Sequence, residues 1–238
     1  MRRKVGFALT TLGWIAVFIV LLMSAVYSVG RDDALYYKLQ MREDILDEAG
    51  ISEDTLATLD WRLATYLFAP GEAEKTFYNL EVEVFGEEQP AFTEKELTHL
   101  QDCRKLLWIT VNAWNYVLLV AVGAALIFAG WWLDAEIARA AWLASALILL
   151  PIAIFGVWAA IDFNSAFNLS HRLLFTNDLW LLNPETDLLI RICPSSMFAG
   201  IGLRIGLRAA ISILGIAGAV EARISNARKR ETNETVEP

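Results

Sequence analysis

The sequence predicts an all-α integral membrane protein: four transmembrane helices, a mainly helical extracytoplasmic insertion and an interfacial outer segment. Three observations predict it. The chain of 238 residues is 56% hydrophobic and 20% charged, with nine Trp, too apolar for a soluble domain with one core. Four stretches, 5–29, 106–130, 135–161 and 196–220, reach the roughly 20 apolar residues that cross about 30 Å of hydrocarbon. Each must be helical, because lipid offers backbone polar groups no partner. Lys and Arg also gather at the two chain ends.

The first span, Val5 to Val29, is too long for a signal-peptide core and lacks a small-x-small pair to end it, so it reads as an uncleaved anchor. Arg2, Arg3 and Lys4 precede it, and Arg223, Arg228, Lys229 and Arg230 follow the last span. Basic flanks stay in the cytoplasm, so both termini are expected there. The short link with Asp134, Glu136 and Arg139 joins them, and 30–105 and 162–195 fall outside. The expected division is thus an anchor (1–29), an outer loop domain (30–105), a three-span core (106–220) with the interfacial segment 162–195, and a cytoplasmic tail (221–238). The outer loop holds eighteen Asp and Glu against eight Lys and Arg, which accounts for the net charge of −8.

Within the loop, Arg31 to Ala49 reads as a polar helix closed by Gly50. Ser52 caps a second helix to about Leu67, with Leu56, Leu59, Leu63 and Leu67 at helical spacing, stopped by Ala69-Pro70-Gly71. Phe77 to Phe85 alternates apolar and polar residues as a short strand does, with a turn at Gly86 to Pro90. Thr93-Glu94-Lys95-Glu96 is a capping box. It starts a helix that carries His99, Asp102 and Cys103 and runs unbroken into the second span.

Pro151 should kink the third span, which ends at Asp162. Segment 162–195 mixes Leu, Phe, Trp and Ile with Asn, Asp and Arg, a composition suited to the membrane interface. Asn183-Pro184 should start a helix running to about Ile192. Arg204 and Arg208 lie inside the last apolar run. They either snorkel outward or face a polar cavity, and Gly202-x-x-x-Gly206 suggests a close helix neighbour. The expectation for Arg204 is the bundle interior, paired with Asp162, Asp178 or Asp187. The tail from about Asn226 is expected to be disordered, and the sequon at Asn233 is discounted as cytoplasmic.

The only two histidines, His99 and His171, both fall on the outer side. They either converge on one site, as proton-transfer groups near neutral pH, or are unrelated interfacial residues. No nucleophile elbow is present. A thiol nucleophile at Cys103 or Cys193 is disfavoured, and no spacing supports a metal. Cys103 and Cys193 could pair, but the simpler reading is two buried small side chains.

The stretches FTEKELTHLQDCRKLL and DFNSAFNLSHRLLFTNDLWLLNPETDLLIRICPSSMF resemble the two signatures of the bacterial lipoprotein intramolecular transacylases, and the likeness extends over the chain in span order. The resemblance implies a substrate, a lipoprotein with an N-terminal diacylglyceryl-cysteine. It also implies a reaction, transfer of the sn-2 acyl chain to the cysteine amine, giving an N-acyl lyso-lipoprotein. His99 and His171 take the family's paired histidines and are the expected catalytic groups. Asp102, Asp162, Asp178, Trp180, Arg191 and Arg204 are expected to bind substrate or support the site. Ser170 stands where many relatives have an aromatic residue, and Cys103 where Val is usual. No cofactor or metal is needed, and the partners expected are diacylated lipoproteins and membrane lipids, not nucleic acid. The alternative is a non-catalytic membrane partner or chaperone acting through the acidic outer loop.

Overall fold

The computed structural model describes residues 1–41, 44–69, 77–132 and 136–234. Four of its helices are long and apolar enough to cross a membrane: α1 (Arg2–Gly30), α6 (Ala113–Trp132), α7 (Ile137–Ile161) and α10 (Ser195–Glu234). Between α1 and α6 come α2 (Asp33–Gln40), α3 (Ile45–Ala49), α4 (Glu53–Phe68), the strands β1 (Glu81–Val84) and β2 (Glu87–Pro90), and α5 (Glu94–Val111). Between α7 and α10 come α8 (Phe163–Leu174) and α9 (Leu188–Ile192). The chain divides into two compact units, one of 1–25, 113–154 and 206–238, the other of 26–112 and 155–205.

In the first unit α1 and α6 approach closely. A Cβ added to Gly13 would lie 2.7 Å from the Gly123 carbonyl oxygen. Small residues let two helix backbones meet where no hydrophobic force drives association in lipid. The large side chains of α6 and α7 are mostly exposed, Trp114, Leu118, Phe128, Leu147 and Ile154 among them, as a lipid-facing surface requires. Pro151 sits inside α7 without ending it.

The second unit has its own apolar core, centred on Leu56, Leu59 and Leu63 of α4. Each such buried side chain contributes about 1.5–3 kcal/mol by leaving water. The Phe77 ring stacks on Tyr66 at 4.2 Å and meets Phe92 at 5.3 Å. Ser52 caps α4 as its sequence requires, its side chain accepting from the Thr55 N–H. Gly50 ends α3 at φ +67°, a left-handed residue that glycine adopts at little cost.

Several expectations need correction. The polar helix from Arg31 to Ala49 is two helices, α2 and α3, with residues 42–43 outside those described. Pro70 and Gly71, read as the stop after α4, also lie outside them, as does Asp134 of the link. Glu87–Pro90 is the second strand of an antiparallel hairpin, not a turn: Val84 pairs with Glu87 and Glu81 with Pro90. Phe85 and Gly86, both at positive φ, form the two-residue connection that suits the strand twist. Phe85 donates its N–H to the Gly50 carbonyl at 2.7 Å, which holds this unusual backbone in place.

The stem carrying His99 does not run unbroken into the span. Asn112, at φ −75° and ψ 110°, ends α5 before α6 begins. Asn favours helix ends because its side chain competes for backbone groups. The helix expected to start at Asn183 starts at Leu188 instead. Asn183 Oδ1 accepts from the Glu185 N–H, and the Asn183 N–H donates to Asp187 Oδ2, so the segment closes on itself as a turn. A Cβ at Gly202 would meet nothing within 4 Å, so no helix packs closely there. The helix α10 continues through Glu234, past the point at Asn226 where the sequence predicts disorder.

Candidate active site

Several segments of the second unit build one cavity around the histidines. The capping box sets the first. Thr93 accepts from the Glu96 N–H, and Glu96 Oε2 accepts from the Thr93 N–H at 2.7 Å. Glu96 is fully buried, and its Oε1 accepts from the Leu189 N–H at 2.7 Å. One carboxylate thus serves the first turn of α5 and the start of α9, satisfying N–H groups that have no helical partner. Lys95 adds a bond from Nζ to the Leu181 carbonyl at 2.5 Å. The register this sets places His99 one turn further along α5, 7% exposed.

Asp162 starts the second segment. Its carboxylate caps α8, accepting from the Ser165 N–H and hydroxyl. Two turns later His171 shares the helix face of Phe167. The carbonyl of Phe167 can only accept, so His171 Nδ1, 2.9 Å away, carries the proton and Nε2 keeps its lone pair. The Ser170 hydroxyl donates to the same carbonyl at 2.7 Å.

The two imidazoles lie with centroids 6.0 Å apart and planes tilted by 38°. An aromatic wall encloses them. Phe167 is 3.9 Å from His171, Trp180 is 5.1 Å from it, and Phe175 is 5.1 Å from His99. The two histidines, Phe167 and Trp180 line a cavity of about 130 Å³, and Leu63, Leu100, Leu189, Met197 and Ile201 complete its largely apolar surface.

Electrostatics follow from that surface. Burial, with a smaller push from the nearby His171, lowers the His99 pKa to about 4 against the opposing charge of Asp102. Burial also lowers His171, against its bond to Phe167. Both rings are therefore neutral near pH 7. Cys103 Sγ sits 3.5 Å from His99 Nε2, yet burial and the charge of Asp102 raise its thiol to about 12. It is no ready nucleophile. Cys193, fully enclosed, is likewise pushed up. Both cysteines are free, so the disulfide left open by the sequence is not formed.

Of the residues expected at the site, His99, His171 and Trp180 line the cavity. Asp102 stands behind it: Oδ2 accepts from Asn177 Nδ2 at 2.9 Å and Oδ1 from Lys105 Nζ at 2.9 Å. This clamp ties α5 to the segment after α8. Lys105, then Asn177, lower the Asp102 pKa. Asp162 and Asp178 are exposed and do not line it. Arg191 donates to the Ala49 carbonyl at 3.3 Å and lies over the Phe85 ring, so it braces the scaffold. Arg204 is exposed, and its expected position in the bundle interior is corrected. Asp162 is occupied as a helix cap and Asp187 bonds Asn183, 3.8 Å from Lys95. No group of three or more metal-ligating side chains gathers among the described residues.

Sequence reasoning missed Phe167, Phe175 and Asn177, and read Glu96 as a cap without its bond to Leu189. The first two were within reach, since they stand four residues either side of His171 and share its helical face. Asn177 and Glu96 act across long sequence separations, for which no local pattern exists.

Comparison with known proteins agrees with this architecture. No curated protein matches the chain by sequence. The solved structure of the membrane integral lipoprotein intramolecular transacylase Lit from Bacillus cereus is similar, with TM-score 0.70 and 19% identity over 94% of this chain and 98% of that one. A structure of the same enzyme with a histidine-to-arginine substitution gives TM-score 0.69 at 20% identity, covering 95% and 94%. One with a histidine-to-alanine substitution gives 0.67 at 20% identity, covering 94% and 96%. The model of the family described as lipoprotein intramolecular transacylase Lit matches residues 11–198. With most of its length inside that match, the chain belongs to the lipoprotein intramolecular transacylase Lit family.

Proposed function

We propose that this chain moves the sn-2 acyl group of a lipoprotein's N-terminal diacylglyceryl-cysteine to the cysteine α-amine, leaving an N-acyl lyso-lipoprotein. The carrying observation is the pair of neutral imidazoles 6.0 Å apart in one apolar cavity. The reaction is an aminolysis. The amine nitrogen attacks the ester carbonyl carbon, the bond to the glycerol oxygen breaks, and the amine proton ends on that oxygen. Donor and acceptor belong to one molecule, so holding them in place supplies much of the acceleration.

The remaining task is proton transfer and charge stabilisation. His171 is the base in this reading. Its Nδ1–H is held by Phe167, which leaves the Nε2 lone pair to take the amine proton and return it to the leaving alkoxide. His99, the more deeply desolvated ring, stays neutral and donates an N–H to the oxyanion. The apolar lining accepts the acyl chain next to the ester. No step calls for a cofactor. Family membership disfavours the alternative of a non-catalytic partner acting through the acidic loop.

The basic residues at the chain ends support a topology with both termini cytoplasmic and the histidines near the outer leaflet, where a lipid-anchored lipoprotein would present its N-terminus. Glu87→Cys, on the exposed second strand, tests it. An impermeant maleimide should label this position in intact cells; labelling only after permeabilisation reverses the topology. The function itself is tested by mass spectrometry of lipoprotein N-termini in cells with and without this protein. The N-acyl lyso form should appear only with it, and an unchanged diacyl form in both would refute the reading.

A further inference from the structure

A cavity of the first unit, about 980 Å³, lies at the end of the helices that carries the N-terminus of α1 and the later turns of α10. Arg3, Arg139, Arg228 and Lys229 line it, against the carboxylates of Glu136 and Glu221. Both carboxylates are engaged. Glu136 takes Arg3 at 2.6 Å on one oxygen and Arg139 at 2.5 Å on the other. Glu221 accepts the indole N–H of Trp142 at 2.7 Å. Arg228 and Lys229 have no carboxylate partner among the described residues and stand exposed on α10.

The Arg3–Glu136–Arg139 triad also borders a second cavity of about 680 Å³, which Phe7 and Lys4 line. Exposed Trp131, typical of a membrane–water boundary, borders the first. A cationic hollow between apolar helix ends matches an occupant with an anionic head and apolar tails.

We propose that this hollow binds the phosphate headgroup of an anionic phospholipid, a site separate from the histidine cavity. Arg228 and Lys229 contact the phosphate. Arg3 and Arg139, positioned by Glu136, hold the other side, and the acyl chains run along exposed α6 and α7. The occupant is a resident lipid and not a substrate, because neither of the two histidines lines the hollow.

The test uses the purified full-length protein in a neutral detergent, offered equimolar phosphatidylglycerol and phosphatidylcholine, with retained lipid read by native mass spectrometry. Phosphatidylglycerol should be retained in clear preference. The double substitution Arg228→Gln/Lys229→Gln should weaken that preference by about 25-fold, on the scale of roughly fivefold per basic residue near an anionic headgroup. Arg139→Gln supplies a second variant if the double one does not fold. Equal retention of the two lipids overturns the proposal, and so does a preference that the substitutions leave unchanged. If millimolar inorganic phosphate displaces the lipid as well as added phosphatidylglycerol does, the hollow is a simple anion site and the lipid assignment is wrong.

Discussion

His99 and His171 are 72 residues apart in the chain, yet their rings meet at 6.0 Å inside one cavity. Among the described residues neither ring is anchored by a carboxylate. His171 is oriented by a backbone carbonyl of its own helix, and His99 by burial among Phe175, Cys103 and its partner ring.

Each histidine is expected to be indispensable. His99→Ala and His171→Ala should each lower N-acyl lyso-lipoprotein formation by at least about 100-fold, the usual scale for a positioned proton-transfer group. Mass spectrometry of lipoprotein N-termini, with immunoblotting for the protein itself, reads both quantities. Near-parental product from either variant removes that ring from the mechanism.

Cys103→Ser should leave activity within about threefold of the parent, because a thiol raised to about 12 does not act as a nucleophile near neutral pH. Complete loss in a protein of unchanged stability would point to an acyl-thiol intermediate in place of direct transfer.

The Asp102–Asn177 bond should be worth more than the Asp102–Lys105 pair beside it. Asn177 is half-buried, whereas the Lys105 side chain is 74% exposed, and exposed ion pairs contribute little. A double-mutant cycle with Asp102→Ala and Asn177→Ala should return a coupling of about 1–2 kcal/mol in denaturation experiments. Lys105→Ala should cost under about 0.5 kcal/mol. Comparable costs for both contacts would contradict the clamp.

Glu96→Ala should destabilise the protein by about 3 kcal/mol, since it strands the buried N–H of Leu189, removes the cap on the part-buried N–H of Thr93 and leaves a void. Activity should fall with it, because α5 and α9 both border the histidines. A thermal melt in detergent that matches the parent's would show that water replaces the carboxylate.

Asp60 provides the pH test. It is 1% exposed, and burial raises its carboxyl to about 7, against the opposing bond from Gln40 Nε2. In the unfolded chain it ionises at its ordinary 3.8. The folded state therefore holds the extra proton between these values, and stability drains away as pH rises through that window. The lowered His99 acts in the opposite sense, adding stability as pH rises from about 4 toward 6.5. Asp60→Asn keeps an acceptor for Gln40 and removes only the first effect. Its melting temperature relative to the parent should climb by several degrees between about pH 4 and about pH 8. A constant offset across that range would refute the shift.

Much of this was legible in the residues themselves. Spans, caps at Ser52 and Thr93, and the glycine stop at Gly50 are local, and each is dictated by neighbours within one turn. The paired histidines were legible as a motif. Arg204 and Gly202 misled, because a charged residue and a small-residue pattern inside an apolar run say that a helix could pack there, not that one does.

The sequence by itself determined a four-helix membrane chain, the family signatures and the two candidate histidines, because apolar run length, capping chemistry and residue type act locally. Only the tertiary structure decided that the two imidazoles share a cavity, that Glu96 serves two helices at once and that Asp162 is a cap and not a ligand. Those outcomes depend on which buried polar group finds which partner across the chain. Desolvation makes that choice costly to leave unmade, and no periodicity in the sequence records it.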